Sequence, residues 1–175
     1  MKSVAVYIAS VAGVLLAAYA GLALYGRDQA WDALADTPDP GAYDFVAPVR
    51  SGKPNDYLVC PADECTAALP EAVAPSYAGS PEAVFAALQE VMVAEGIAEA
   101  PSTDAPARKV SAIARTPLMR FPDRVTAMVS GDADGPSSVW IYSASRIGHS
   151  DLGTNRRRVQ SLIGELDARF SRAAP

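Results

Sequence analysis

Ser143–Val159, SASRIGHSDLGTNRRRV, gathers most of the residue types that could do chemistry in this chain: hydroxyls, a histidine, an aspartate and a cluster of arginines. Within it, GHSDLG approaches the nucleophile box of serine hydrolases. There a serine on a tight strand-to-helix turn is deprotonated by a histidine brought in from elsewhere. The box is one residue too long for G-x-S-x-G, and His149, beside Ser150, is the chain's only histidine. A Ser–Lys pair would have to recruit Lys53 or Lys109, neither of which stands in a telling context. The stretch therefore does not read as a hydrolase elbow, and His149 reads as a solvent-facing turn residue.

The arginines say more. Arg156, Arg157 and Arg158 open a helical segment, where the macrodipole is already positive and each cation costs a few tenths of a kcal/mol. Compensation is expected. In one reading, Asp123 and Asp151 satisfy Arg146 and one helix arginine while Ser143 or Ser145 completes the bonds, forming a structural network. In the other, helix amides and guanidiniums hold a phosphate, a sulfate, a carboxylate or a lipid headgroup. Arginine–carboxylate forks are common structural devices, which favours the network. Helical angles turn Arg157 to water, put Arg156 and Arg158 on flanks that could reach back to a sheet, and place Asn155 nearer the core.

The elements that must position these residues follow from periodicity. SPEAVFAALQEVMVAEG reads as a helix with Ser80 as N-cap, Pro81 in the first turn and Gly96 as the stop. Val84, Phe85, Leu88, Val91 and Met92 form its apolar face. DYLVC is a short strand candidate. RKVSAIARTPLMRF is a second, which Pro117 assigns to an edge or a bulge. DRVTAMVS presents Val125, Ala127 and Val129 on one face. SSVWIYSAS presents Val139, Ile141, Ser143 and Ser145 on one face, with Trp140, Tyr142 and Ala144 on the other. GDADGP between these two is hairpin chemistry. A final helix runs from about Asn155 to Phe170, with Val159, Leu162, Ile163, Leu166 and Phe170 in one stripe. The fold class is α+β: an antiparallel sheet of three to four strands against two amphipathic helices, preceded by one transmembrane helix.

That first helix is Val4–Tyr25, uncharged and free of proline, and at about 1.5 Å per residue it covers about 33 Å, a bilayer's hydrocarbon core. AYA at Ala18–Ala20 fits a signal-peptide cut, but the apolar run continues through GLALY, which favours an uncleaved anchor. Lys2 precedes the span, while Arg27 is followed by Asp28, Asp32, Asp36, Asp39 and Asp44. Positive residues stay inside, so the rest of the chain is expected in the periplasm, the anchor lying in the inner membrane. A net charge of −5 and a pI near 4.8 argue against nucleic-acid binding. In that oxidising compartment Cys60 and Cys65 of CPADEC are expected as a disulfide. Two thiols and one histidine are too few for a zinc site, and no metal or cofactor is implied.

RTPLMRFPDRVTAMV followed by SASRIGHSDLGTNRRRV resembles the signature of the domain of unknown function 1499 family. Its pattern is similar to R-T-x-L-x-R-F-x-D and then S-x-S-R-x-G-x-S-D-x-G-x-N-x-x-R. The resemblance covers roughly Asn55–Leu166 and marks Arg115, Arg120, Asp123, Ser145, Arg146, Ser150, Asp151, Asn155 and Arg158. It supports a membrane anchor and brings no activity with it. The expected organisation is an anchor over residues 1–26, a linker over 27–55 in which Trp31, Tyr43 and Phe45 can dock, and an extracytoplasmic domain over 56–172. Such a chain reads as a binding or accessory module with the bilayer, through residues 4–25, and a membrane or periplasmic protein as partners. An enzyme or an anion-binding protein using the Arg/Asp/Ser patch is the alternative.

Overall fold

The computed structural model describes residues 2–35, 39, 41–61, 65 and 68–173. Helix α1, Lys2–Tyr25, is apolar on every side, and none of its candidate span is buried against the described residues. It is long and apolar enough to cross a membrane, a property shared by anchors and signal sequences. Gly26 separates it from α2, Arg27–Ala35. The mixed domain follows as β1 (Asp56–Cys60), β2 (Ala72–Val73), β3 (Ser76–Tyr77), α3 (Pro81–Ala94), β4 (Glu99–Asp104), β5 (Lys109–Arg115), β6 (Pro122–Ser130), β7 (Ser137–Ser145) and α4 (Thr154–Arg169).

The sheet has seven strands, more than the three to four read from the sequence, in the order β2-β1-β7-β6-β5-β4 with β3 added to β7. Among the described strands, only β1 and β2 run parallel. The added strands escape a periodicity search for physical reasons. β2 and β3 have two residues each, and β4, EAPSTD, is exposed throughout and carries Pro101. β4 also corrects the position expected for RKVSAIARTPLMRF. That strand stops at Arg115 and lies inside the sheet between β4 and β6, while Pro117 falls in the turn beyond it.

Alternation along the central strands works as expected. Val125, Ala127 and Val129 of β6 and Val139 and Ile141 of β7 meet α3 and α4 in the main core. Val84, Leu88 and Val91 of α3 and Val159, Leu162 and Leu166 of α4 are fully buried there. Each such side chain contributes about 1.5–3 kcal/mol relative to exposure. Ser80 caps α3 by accepting the Ala83 amide, and Gly96, with φ of 73°, ends it. Ile97 N–H then reaches Met92 O at 2.8 Å and Gly96 N–H reaches Val93 O at 3.0 Å, the two bonds of a Schellman turn.

The opposite face of the sheet is also covered, by chain and not by helix. Phe45, Leu58, Cys60, Cys65, Ala68, Trp140 and Tyr142 form a second core. Tyr43 stacks on Tyr142 with ring centroids 3.8 Å apart, and Phe45 meets Trp140 edge-on at 5.6 Å. Cys60 and Cys65 are disulfide-bonded inside this layer. At the start of the 27–55 segment, Trp31 of α2 lies against Phe121 at 4.5 Å.

Candidate functional site

β6 and β7 pair in a register that sets Asp123 opposite Ser145 and Val125 opposite Ser143. These positions end the helix-facing rows, so apolar packing gives way to polar side chains where α4 begins. A closed ring of hydrogen bonds fills the place. Ser145 Oγ donates to Asp123 Oδ1 at 2.6 Å, and Asn155 Nδ2 donates to Ser145 Oγ at 3.1 Å. Ser143 Oγ donates to Asn155 Oδ1 at 2.6 Å and accepts from Arg158 Nη1 at 3.0 Å. Arg158 Nη2 closes the ring on Asp123 Oδ2 at 2.6 Å. Asp123 is 1% exposed and Asn155 is fully buried, so both carboxylate oxygens and both amide ends are satisfied away from water. Asn155 also donates to Asn55 O at 2.9 Å, which ties in the start of β1.

Asp151 does something other than pair with an arginine. Its Oδ1 accepts the Gly153 amide at 2.9 Å, its Oδ2 the Asn155 amide at 2.7 Å, and its carbonyl the Thr154 amide at 3.1 Å. It is therefore the anion at the start of α4, the compensation that the basic first turn requires. Gly153 supplies the left-handed turn between them, with φ of 76°. Among the expected arginine partners, Arg158 alone reaches back to Asp123. Arg156 is exposed, and Arg157 curls onto Leu152 O and Thr154 Oγ1, both at 3.1 Å. Arg146 lies 3.8 Å from Asp32.

Arg115 and Arg120 belong to a separate group, built with α2. Arg115, whose side chain is 2% exposed, grips Glu99 at 2.7 and 2.6 Å and Asp32 at 3.1 and 2.9 Å. Arg120, in the left-handed region at φ 62°, forks onto Asp28 at 2.9 and 2.8 Å. These bonds act more strongly than burial on the acids. Arg115 holds the Glu99 carboxyl below its ordinary range, and Arg120 does the same for Asp28. Ser150 and His149 are exposed, and residues 146–153 separate β7 from α4, too long a loop for a nucleophile elbow. Ser150 Oγ accepts the Leu152 amide at 3.4 Å.

Two hollows flank these groups. One of about 720 Å³ runs between the 116–121 turn and the 147–154 loop. Trp31, Leu118, Met119, Phe121, Ile147 and Leu152 are among its walls, Asp123 and Ser145 also line it, and Arg157 stands at its edge. Another of about 530 Å³ lies on the opposite face of the sheet, among Tyr43, Arg50, Arg124 and Tyr142. Two of its lining arginines are committed: Arg50 forks onto Asp56 at 2.9 and 2.7 Å, and Arg124 pairs with Asp39.

The sequence model of a family described as "Protein of unknown function (DUF1499)" matches residues 50–166. This chain belongs to the DUF1499 family. No curated protein matches it. The DUF1499 match contains the polar ring, the α4 cap and both arginines that hold α2, whereas Trp31, Asp28 and Asp32 lie before it. The ring members missing from the sequence-marked positions are Ser143, named there only as one of two serine options, and the Asn55 carbonyl. No spacing rule joins Asn55 to Asn155 across the chain, so only the fold brings that pair together.

Proposed function

We propose that this protein is a membrane-anchored, extracytoplasmic binding module, whose DUF1499 domain presents the 720 Å³ groove beside the anchor. The observation that carries this reading is the commitment of the polar signature. Asp123 and Asp151 each have both carboxylate oxygens occupied, by Ser145 and Arg158 in one case and by backbone amides in the other. Each carboxylate is thus held by bonds that the fold itself uses, Asp123 at 1% exposure, which disfavours a general-base role for either. What the ring does instead is to fix the 147–154 loop and α4 on the sheet, and so to hold one wall of an apolar groove. Its size and lining fall within the usual range of small-ligand sites, about 300–1,000 Å³ and predominantly apolar.

Anchoring rests on α1, and the outward orientation on Lys2 before the span and the aspartates after it. One variant tests location and groove together. Among the described residues there is no free cysteine, and Leu118 is 74% exposed. Leu118→Cys should react with a membrane-impermeant maleimide added to intact cells whose outer barrier is permeabilised. Labelling only after the inner membrane is broken would refute the orientation. No labelling even of the detergent-solubilised protein would refute an open groove.

A further inference from the structure

Three observations say what the groove holds, given the anchored reading above. The first is place. Only Gly26 lies between α1 and α2, and Arg27 donates to Leu118 O at 2.9 Å while Trp31 Nε1 donates to Met119 O at 2.5 Å. The 116–121 turn is thus tied directly to the residues that leave the apolar helix. Arginine and tryptophan are also residue types that settle at a membrane–water interface.

The second is surface. Leu118, Met119 and Leu152 are 74%, 43% and 85% exposed, three large apolar side chains around one groove. Leu152 is held at φ 53°, a left-handed backbone that a residue with a β-carbon adopts at a cost and that asparagine or glycine accepts readily. The loop carries that cost in order to present a leucine that is left largely exposed. Strain of this kind collects at binding sites.

The third is charge. Arg157 lines the same groove, and among the described residues no acidic side chain forms an ion pair with it. Arg156 adds a second exposed cation at the start of α4. Asp123 and Asp151 also line the groove, but Arg158 neutralises Asp123 and backbone amides take both Asp151 oxygens, which leaves the apolar groove paired with Arg157, a lining cation without an acidic partner among the described residues. An amphiphile with an apolar tail and an anionic head matches that pairing.

We propose that the groove takes one acyl chain of an anionic lipid from the bilayer that holds α1, with the lipid phosphate at Arg157. The proposal rests on the anchored reading, and the test separates the two. The full chain is reconstituted in phosphatidylcholine vesicles containing phosphatidylglycerol with a diazirine on one acyl chain. After irradiation, adducts are mapped by mass spectrometry. The expected result is adducts in the 116–121 and 147–154 segments in addition to residues 4–25. Leu152→Asn should lower the loop adducts about tenfold, the loss expected for one leucine's apolar contact, while melting stays unchanged or rises. Arg157→Gln should lower capture of the phosphatidylglycerol probe but not of the same probe on phosphatidylcholine. Adducts confined to residues 4–25 would overturn the lipid proposal, leave the anchor standing and assign the groove to a protein or a second copy. A chain that fails to remain with the vesicles would overturn the anchored reading as well. Groove adducts that Leu152→Asn leaves intact would also overturn the proposal.

Discussion

Replacing Asp123 with alanine removes the one group that both Arg158 and Ser145 address. Asp123 is 1% exposed and the Arg158 side chain 11%, so the guanidinium cannot turn to bulk water for replacement partners. Its Nη1 keeps Ser143 and Asn155, but Nη2 loses its 2.6 Å bond and the cation loses its counter-charge. Breaking one side of a buried pair costs about 3–5 kcal/mol. In a domain of this size that corresponds to a fall in melting temperature of about 6–20 °C. Asp151→Ala provides the internal control. Because Asp151 caps α4 and pairs with no guanidinium, its loss should cost only about 1 kcal/mol. Denaturant unfolding of the detergent-solubilised chain, followed by Trp140 fluorescence, measures both. Adding Arg158→Met to Asp123→Ala should cost less than Arg158→Met alone, since it removes a stranded charge. An Asp123→Ala protein within about 0.5 kcal/mol of wild type, the range of ordinary surface substitutions, would refute the buried-ring account. So would an Asp151→Ala loss as large as that of Asp123→Ala.

Other outcomes follow from separate parts of the fold. Leu152→Asn should stabilise the protein by about 1 kcal/mol in a denaturant melt by relieving the left-handed leucine; destabilisation would show that Leu152 packs in the folded state. The α2 contact should be sensitive to acid. Asp28 and Glu99 titrate below their ordinary values of 3.8 and 4.5, so their contribution is complete above those values and is lost as pH falls beneath them. Acrylamide quenching of Trp31 should therefore rise below about pH 4, against the constant background of buried Trp140, and a flat profile would contradict the ion-pair latch. Reducing Cys60–Cys65 releases a short loop and should cost about 2 kcal/mol by loop-closure entropy, read as a lower denaturation midpoint with dithiothreitol. An unchanged midpoint would show that the layer packed on Phe45 and Trp140 holds without the bond.

The central sheet was legible in the sequence because β6 and β7 obey a strict two-residue period, with a turn-rich GDADGP between them. α3 and α4 were legible for the corresponding reason, a stripe at helical spacing with Ser80 and Gly96 as punctuation. β4 was not, since a strand exposed on both faces has no alternation to read. Tyr43 and Phe45 were read as able to dock the 27–55 segment, but their seats on the second face, against Tyr142 and Trp140, are set by tertiary contacts that composition does not encode. Asp123 and Asp151 were expected together to satisfy Arg146 and one first-turn arginine; Asp123 pairs with Arg158, while Arg146 lies 3.8 Å from Asp32. Asp151 was expected to pair in the same way, but an aspartate just ahead of a helix start is a capping signal, and that local rule prevailed. Arg115 and Arg120 stood out only as signature residues. Their carboxylate partners Asp28 and Asp32 are far away in sequence and lie outside the family match, so only the fold could identify them.

The proposed binding module stays beside the bilayer that holds α1, and the intact mass of the protein recovered from carbonate-washed membranes tests that proposal most directly. Retention of α1 predicts a chain that still includes residues 4–25, found with the membranes and close to the full 18.3 kDa. A soluble periplasmic chain that begins at Gly21, after the AYA sequence, would contradict it.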